Sequence, residues 1–178
     1  MHRDEATLVR QCSVAPESHS GTRLGFVPVT LKNGNQNVVT YALLDNGSDV
    51  TLLSERIADR LNIKGEACSL RVRTSTLLCQ RVSVALESLD GESLIVIDSA
   101  YVVKQLPVDC AEIPSDVDLK VWPHLSDICV TRLRDNEVGM LLGGNVPEAH
   151  WVLDQRVGKG QHPYAVKTLF GWTLRGPN

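Results

Sequence analysis

The chain has 178 residues, 43% of them apolar, 22% charged and 4% aromatic, with a formal net charge of −3 and an isoelectric point near 5.9. The apolar fraction supports a packed core built mainly from Leu and Val, and it excludes a chain that is disordered throughout. There is no basic footprint for nucleic acid, and no apolar run approaches the ~18 residues a membrane-spanning helix needs.

The length fits one domain, or one domain with tails. Residues 1–21 are polar, carry Pro16, Ser18, Ser20 and Gly21, and read as a leader or linker ahead of a domain at 22–178. Met1-His2-Arg3-Asp4-Glu5 is charged with no apolar stretch behind it, so no secretory signal is expected. Val27, Val29 and Leu31 alternate as in a half-buried strand, and Pro28 suggests an edge position. Lys32-Asn33-Gly34-Asn35 predicts a hairpin turn. Val38 to Leu44 is apolar apart from Thr40, so the returning strand is expected to be buried on both faces.

Asp45-Asn46-Gly47-Ser48 follows as a turn, then Val50 to Leu53 as a short strand. Ser54 is a suitable N-cap for a helix carrying Ile57, Ala58 and Leu61. Leu70 to Arg73 and Val82 to Leu86 alternate, which makes Thr74 to Arg81 a projecting hairpin segment. Asp90-Gly91 predicts another turn, and Leu94 to Ile97 and Tyr101 to Val103 further strands. Residues 105–136 hold Pro107, Pro114 and Pro123 with many acidic groups, Asp116 and Asp118 among them, and read as a long irregular excursion. Val138 to Leu142 predicts a strand ending at Gly143-Gly144, and Pro147 a short helix to about Val152. Tyr164 to Thr168 and Trp172 to Leu174 close the chain as strands. Short strands with dense turn punctuation predict a mainly β barrel or sandwich.

Five cysteines, Cys12, Cys68, Cys79, Cys110 and Cys129, include no Cys-x-x-Cys pair and read as free thiols in a reducing compartment. Cys110, His124 and Cys129 match no structural zinc spacing, so no metal and no cofactor is expected. Ser48 lacks a Gly-x-Ser-x-Gly elbow, and Gly143-Gly144 lacks the Lys-Ser or Lys-Thr of a P-loop. His124, His150 and His162 read as surface or packing histidines, and Trp122, Trp151 and Trp172 as core or interface residues.

The chemistry concentrates on Asp45. A carboxylate at the end of an apolar strand, followed by a glycine turn, is aimed out of a dry layer by rigid backbone. Alone it does little. Two such groups face to face share one proton, so that the pair activates a water and protonates a carbonyl. The chain has one Asp-x-Gly turn of this kind. A dyad therefore requires a second copy of the chain across a two-fold axis. Taken by itself, Asp-Asn-Gly is also an ordinary turn tripeptide.

Tyr41-Ala42-Leu43-Leu44-Asp45-Asn46-Gly47-Ser48-Asp49-Val50-Thr51-Leu52-Leu53-Ser54 resembles the active-site segment of retropepsins, and in particular the peptidase domain of BEL/Pao-type LTR retrotransposon polyproteins. Val138 to Ala149, Pro163 to Thr168 and Gly171 to Pro177 resemble later segments of that family, and Trp122-Pro123-His124-Leu125 is also similar. The resemblance covers roughly residues 22–177. It implies an acid-protease closed β barrel with one or two short helices, as one subunit of a homodimer, cleaving the element's own polyprotein inside the cell, in cytoplasm or in virus-like particles. It assigns Asp45 as the catalytic residue and Asn46, Gly47 and Ser48 as the active-site turn. Leu141, Leu142 and Gly143 would be the apolar-apolar-glycine element beneath that turn. Thr74, Ser75, Thr76, Leu77 and Leu78 would form a flap over the peptide. Asn46 stands where the family has Thr or Ser, and the flap segment is short and without a glycine-rich stretch. These departures leave a second expectation, a weakly active or inactive module that dimerises or binds peptides.

Overall fold

The computed structural model describes residues 7–9, 22–72, 75–108, 113 and 117–177. It is mainly β. The strands are β1 (Thr7–Val9), β2 (Thr22–Arg23), β3 (Gly25–Asn33), β4 (Gln36–Leu44), β5 (Thr51–Ser54), β6 (Glu66–Val72), β7 (Ser75–Ser88), β8 (Leu94–Val103), β9 (Val138–Leu142), β10 (Asp154–Arg156), β11 (Tyr164–Thr168) and β12 (Gly171–Pro177). Two short helices are α1 (Glu55–Arg60) and α2 (Val117–Lys120), and single 3-10 turns span Pro123–Leu125 and Pro147–His150. Among the described residues no helix is long and apolar enough to cross a membrane.

Six strands close into a barrel in the order β7-β3-β4-β9-β5-β8, with β8 pairing back onto β7. Its interior takes Val27, Val29 and Leu31 from β3, Ala42 and Leu44 from β4, Met140 and Leu142 from β9, and Val82, Val84 and Leu86 from β7. Phe170 is the one aromatic side chain in this cluster, as a sequence poor in aromatics requires. The β3–β4 hairpin turns where expected, with Gly34 at φ +57 in the left-handed region that suits glycine. The β7–β8 turn places Gly91 at φ +74.

Pro28 does not mark an edge strand. β3 lies between β4 and β7, but its pairing with β7 covers only Val29 to Lys32. The missing N–H of Pro28 falls just outside that ladder. β4 is central as expected, flanked by β3 and by β9, although Val39 is exposed. The two strands predicted between Leu94 and Val103 are one continuous β8. Ser54 caps α1 by accepting from the Ile57 N–H at 3.3 Å.

β7 is 14 residues long, and its first half leaves the barrel. Ser75 to Arg81 pairs with Glu66 to Val72 over seven residue pairs, giving a hairpin roughly 23 Å long at about 3.3 Å per residue. The predicted projecting segment therefore has different bounds. The first strand begins at Glu66, not Leu70, and Ser75 to Arg81 is regular strand paired along its length. The polar run Glu66-Ala67-Cys68-Ser69 hides it, because that part of the arm buries too little to alternate clearly. β1, within the expected leader, pairs in parallel with Leu70 to Val72 of β6.

β10, β11, β12 and β2 form a second, smaller sheet. It is fastened to the barrel by the Thr173 hydroxyl donating to the Phe26 carbonyl at 2.7 Å. The excursion is irregular but structural. Leu125 and Ile128 are buried against Ala165 and Leu174 of the small sheet, with Trp122 and Trp172 packed beside them. Leu106 and Ile113 enter a second cluster with Tyr41, Leu43, Val50, Leu52, Leu70 and Leu141. Trp151, read as a core or interface residue, is 54% exposed in the single chain. Pro114, Asp116 and Cys110 lie outside the described residues, as does the side chain of Asp118.

Candidate active site

Strand alternation decides which side Asp45 serves. On β4, Ala42 and Leu44 belong to the barrel interior, while Tyr41 and Leu43 belong to the second cluster. Asp45 continues in phase with Leu43, so its side chain lies on the second cluster's side. The strand ladder runs on into the turn, where the Asp45 N–H donates to the Leu142 carbonyl at 3.0 Å. Asp45 is half-buried, Asn46 and Gly47 are exposed, and Ser48 is buried.

The turn holds its own carboxylate. Gly47 N–H donates to Asp45 Oδ1 at 3.0 Å, and Ser48 N–H donates to the Asp45 carbonyl at 3.2 Å. One carboxylate oxygen is thereby fixed by backbone, an Asx turn that Asp favours. Ser48 Oγ donates to the Val50 carbonyl at 2.9 Å in a buried contact. Its hydroxyl is a structural brace for the turn, which fits the absence of a nucleophile elbow.

Beneath the turn, β9 threads between the two strands that flank Asp45. It runs parallel to β4 and antiparallel to β5. The first glycine after it, Gly143, is required by close approach. A Cβ on Gly143 would stand 2.2 Å from the Val50 carbonyl oxygen, so any side chain there forces the turn away. Gly144 N–H donates to the Ser48 carbonyl at 2.8 Å. Asp45, Gly47, Ser48, Leu142 and Gly143 are thus brought together.

Three residues with no sequence signal complete this seat. Thr51, fully buried, accepts from the Gly143 N–H at 3.2 Å and donates to Asn145 Oδ1 at 2.8 Å. Asn145 Nδ2 donates to the Ser99 carbonyl at 3.2 Å. His150 Nε2 lies 3.0 Å from the Gly143 carbonyl, which can only accept, so that nitrogen carries the proton. His150 is therefore a brace of the glycine corner rather than simple packing. Its Nδ1 is buried and has no hydrogen-bond partner among the described residues.

His124 and His162 do pack, against Trp122, with Trp122 and His162 ring centres 4.4 Å apart. Among the described residues no group of three or more His, Cys, Asp and Glu side chains is placed to hold a metal ion.

Ser75, Thr76, Leu77 and Leu78 lie in the β7 arm opposite Val72, Arg71, Leu70 and Ser69. Thr74 lies outside the described residues. Leu70 is fully buried in the second cluster, whereas Leu78 is 92% exposed. A groove of about 730 Å³ opens between α1 and the hairpin, lined by Glu55, Asp59 and Ile63 on one side and Leu77, Leu78 and Gln80 on the other. Asp45 does not line it. Chemically, the seat presents one firmly held carboxylate on the side of the barrel where Leu43, Val50, Leu52 and Leu141 gather. No protein-family model matches the chain, and no curated protein matches it.

Proposed function

We propose that the chain is an aspartic endopeptidase of the retropepsin type that works as a two-fold homodimer, with Asp45 contributed by each subunit. The observation that carries this reading is the seat of Asp45. The aspartate ends one barrel strand, its turn is braced by Gly47 and Ser48, and a glycine-ended strand threads beneath it between β4 and β5. An ordinary surface turn needs none of that support.

The reaction follows from two such carboxylates. At close range both cannot ionise, so they share a proton. The ionised one takes a proton from water as that water attacks the scissile carbonyl. The protonated one supplies a proton to the carbonyl oxygen, and the tetrahedral intermediate then collapses to acid and amine. The Gly47 N–H on Oδ1 keeps each carboxylate oriented while the proton moves. The Glu66–Arg81 hairpin serves as the cover over the bound peptide, which fits its reach beyond the barrel. The natural substrate in this reading is the polyprotein of an LTR element.

Purified chain assayed on a broad peptide panel should cleave with a preference for acidic pH, and Asp45→Asn should abolish cleavage while leaving the fold intact. Retention of activity in Asp45→Asn removes the reading.

A second reading is favoured by Asn46. The family's Thr or Ser hydroxyl is replaced by an exposed amide, which can donate and accept but is bulkier. In this reading the fold persists as a weak or inactive dimerisation or peptide-binding module. A large gain in cleavage on Asn46→Thr supports it, and strong wild-type activity unchanged by Asn46→Thr removes it.

A further inference from the structure

Cys68 and Cys79 face each other directly across the β6–β7 hairpin, with their Sγ atoms 3.2 Å apart. Both are free thiols, both are half-buried, and both pack against the second cluster. Residues opposed in an antiparallel pair have Cα atoms about 4.5–5.5 Å apart. A disulfide needs roughly 4.4–6.8 Å. The two arms therefore already stand at bonding distance, and closure asks for side-chain rotation rather than backbone movement. The third described cysteine, Cys129, is exposed and serves as an internal comparison.

We infer that Cys68 and Cys79 form a redox-active dithiol that closes to a disulfide on exchange with a low-molecular-weight disulfide, stapling the hairpin midway along its arms. One thiol loses its proton and attacks the oxidant's S–S bond, giving a mixed disulfide and releasing one small thiol. The second protein thiol loses its proton and attacks the protein sulfur of that mixed disulfide, releasing the other small thiol. Two protein S–H groups thus lose two protons and two electrons, and the oxidant takes both to become two thiols. Burial and the neighbouring Cys68 push the Cys79 thiol up to about 12, which holds Cys79 as the thiol rather than the thiolate at neutral pH.

The position gives the bond a mechanical consequence. One residue pair, Ala67–Gln80, lies between it and the base at Glu66–Arg81, and three lie between it and the end at Val72–Ser75. Without it, the backbone ladder and the Glu66–Arg81 ion pair at 2.8 Å hold arms that can still part. A covalent tie at 68–79 does not part, so the outer segment moves only as a unit. The dithiol rests on its own geometry, whereas an effect on cleavage rests on the peptidase reading.

The test uses the full chain equilibrated with mixtures of oxidised and reduced glutathione, then alkylated and mapped by mass spectrometry without reduction. Proteolysis after Arg71 and Arg73 separates the two cysteines, so the disulfide reports as a linked peptide pair lighter by two hydrogens than its dithiol form. The expected result is loss of two alkylatable thiols per chain, both from Cys68 and Cys79, reversed by dithiothreitol and absent in Cys79→Ser. Hydrogen exchange across 66–81 should slow on closure. Cys68 and Cys79 remaining alkylatable while Cys129 is modified would overturn the inference, and so would linkage of either to Cys12, Cys110, Cys129 or a second chain. In peptide assays, closure should lower turnover reversibly. Closure with unchanged turnover refutes the hairpin's control of cleavage. Absence of cleavage in both redox forms counts against the peptidase reading and leaves the dithiol standing.

Discussion

Gly143 lies against Val50 so closely that a Cβ on the glycine would come within 2.2 Å of the Val50 carbonyl oxygen. Gly144, its neighbour, would place a Cβ 3.5 Å from the Ser48 carbonyl oxygen, an ordinary contact. The pair separates a glycine required by packing from one that is not.

Gly143→Ala should therefore destabilise the fold by about 2 kcal/mol or more, since the atom met is backbone and cannot swing aside. Gly144→Ala should stay within about 0.5 kcal/mol. Urea unfolding midpoints of the two variants check this, and equal losses would contradict the seat described for the Asp45 turn.

Thr51 satisfies a buried backbone N–H and positions Asn145 through one hydroxyl. Thr51→Val keeps the shape but leaves the Gly143 N–H without its acceptor, at a cost of about 1–3 kcal/mol. Thr51→Ser keeps the hydroxyl and loses only a buried methyl, about 0.8 kcal/mol. Calorimetry on both variants should rank valine as the more damaging, and the reverse order would remove the role assigned to the hydroxyl.

Tyr41 latches the excursion to the barrel by accepting, through its hydroxyl oxygen, from the Leu133 N–H at 2.9 Å. Tyr41→Phe should cost about 1 kcal/mol and raise hydrogen exchange locally around residues 130–136. Unchanged exchange there would show that Leu106, Ile113 and the rest of the second cluster hold the segment without the latch.

The Cys79 thiol, lifted from an ordinary 9.0 to about 12, sets a pH dependence of stability. Its folded value lies above its unfolded one, so the native chain holds the proton more tightly. The contribution is fully present below about pH 9 and is lost as pH rises toward 12. The stability of Cys79→Ala should therefore fall less steeply than wild type across that window. Parallel curves from pH 9 to 11 in reducing buffer would contradict the shift.

Local rules made the β3–β4 and β7–β8 turns legible, because Gly34 and Gly91 mark positive φ with one residue each. They also located Asp45 at the end of a buried strand and Gly143 at the end of β9, since both follow apolar runs. The start of β6 was not legible, because Glu66 to Ser69 alternates weakly and owes its strand state to pairing with β7. Pro28 misled for a related reason, since its partners end one residue away. Thr51, Asn145 and His150 gave no signal. The Thr51–Asn145 bond joins residues 94 positions apart, and the Gly143–Thr51 bond spans 92, so only the closed barrel brings them together. The excursion looked polar because its buried residues, Leu106, Ile113, Leu125 and Ile128, are too widely spaced to form a periodic face.

The central claim is that Asp45 acts as one half of a dyad completed by a second copy of the chain. An experimental structure of the chain at high concentration tests it most directly, by the distance between the two Asp45 carboxylates. The account predicts a two-fold dimer with those carboxylates in hydrogen-bond contact, about 3 Å apart across the axis. A monomer, or a dimer whose Asp45 residues face away from each other, would contradict it.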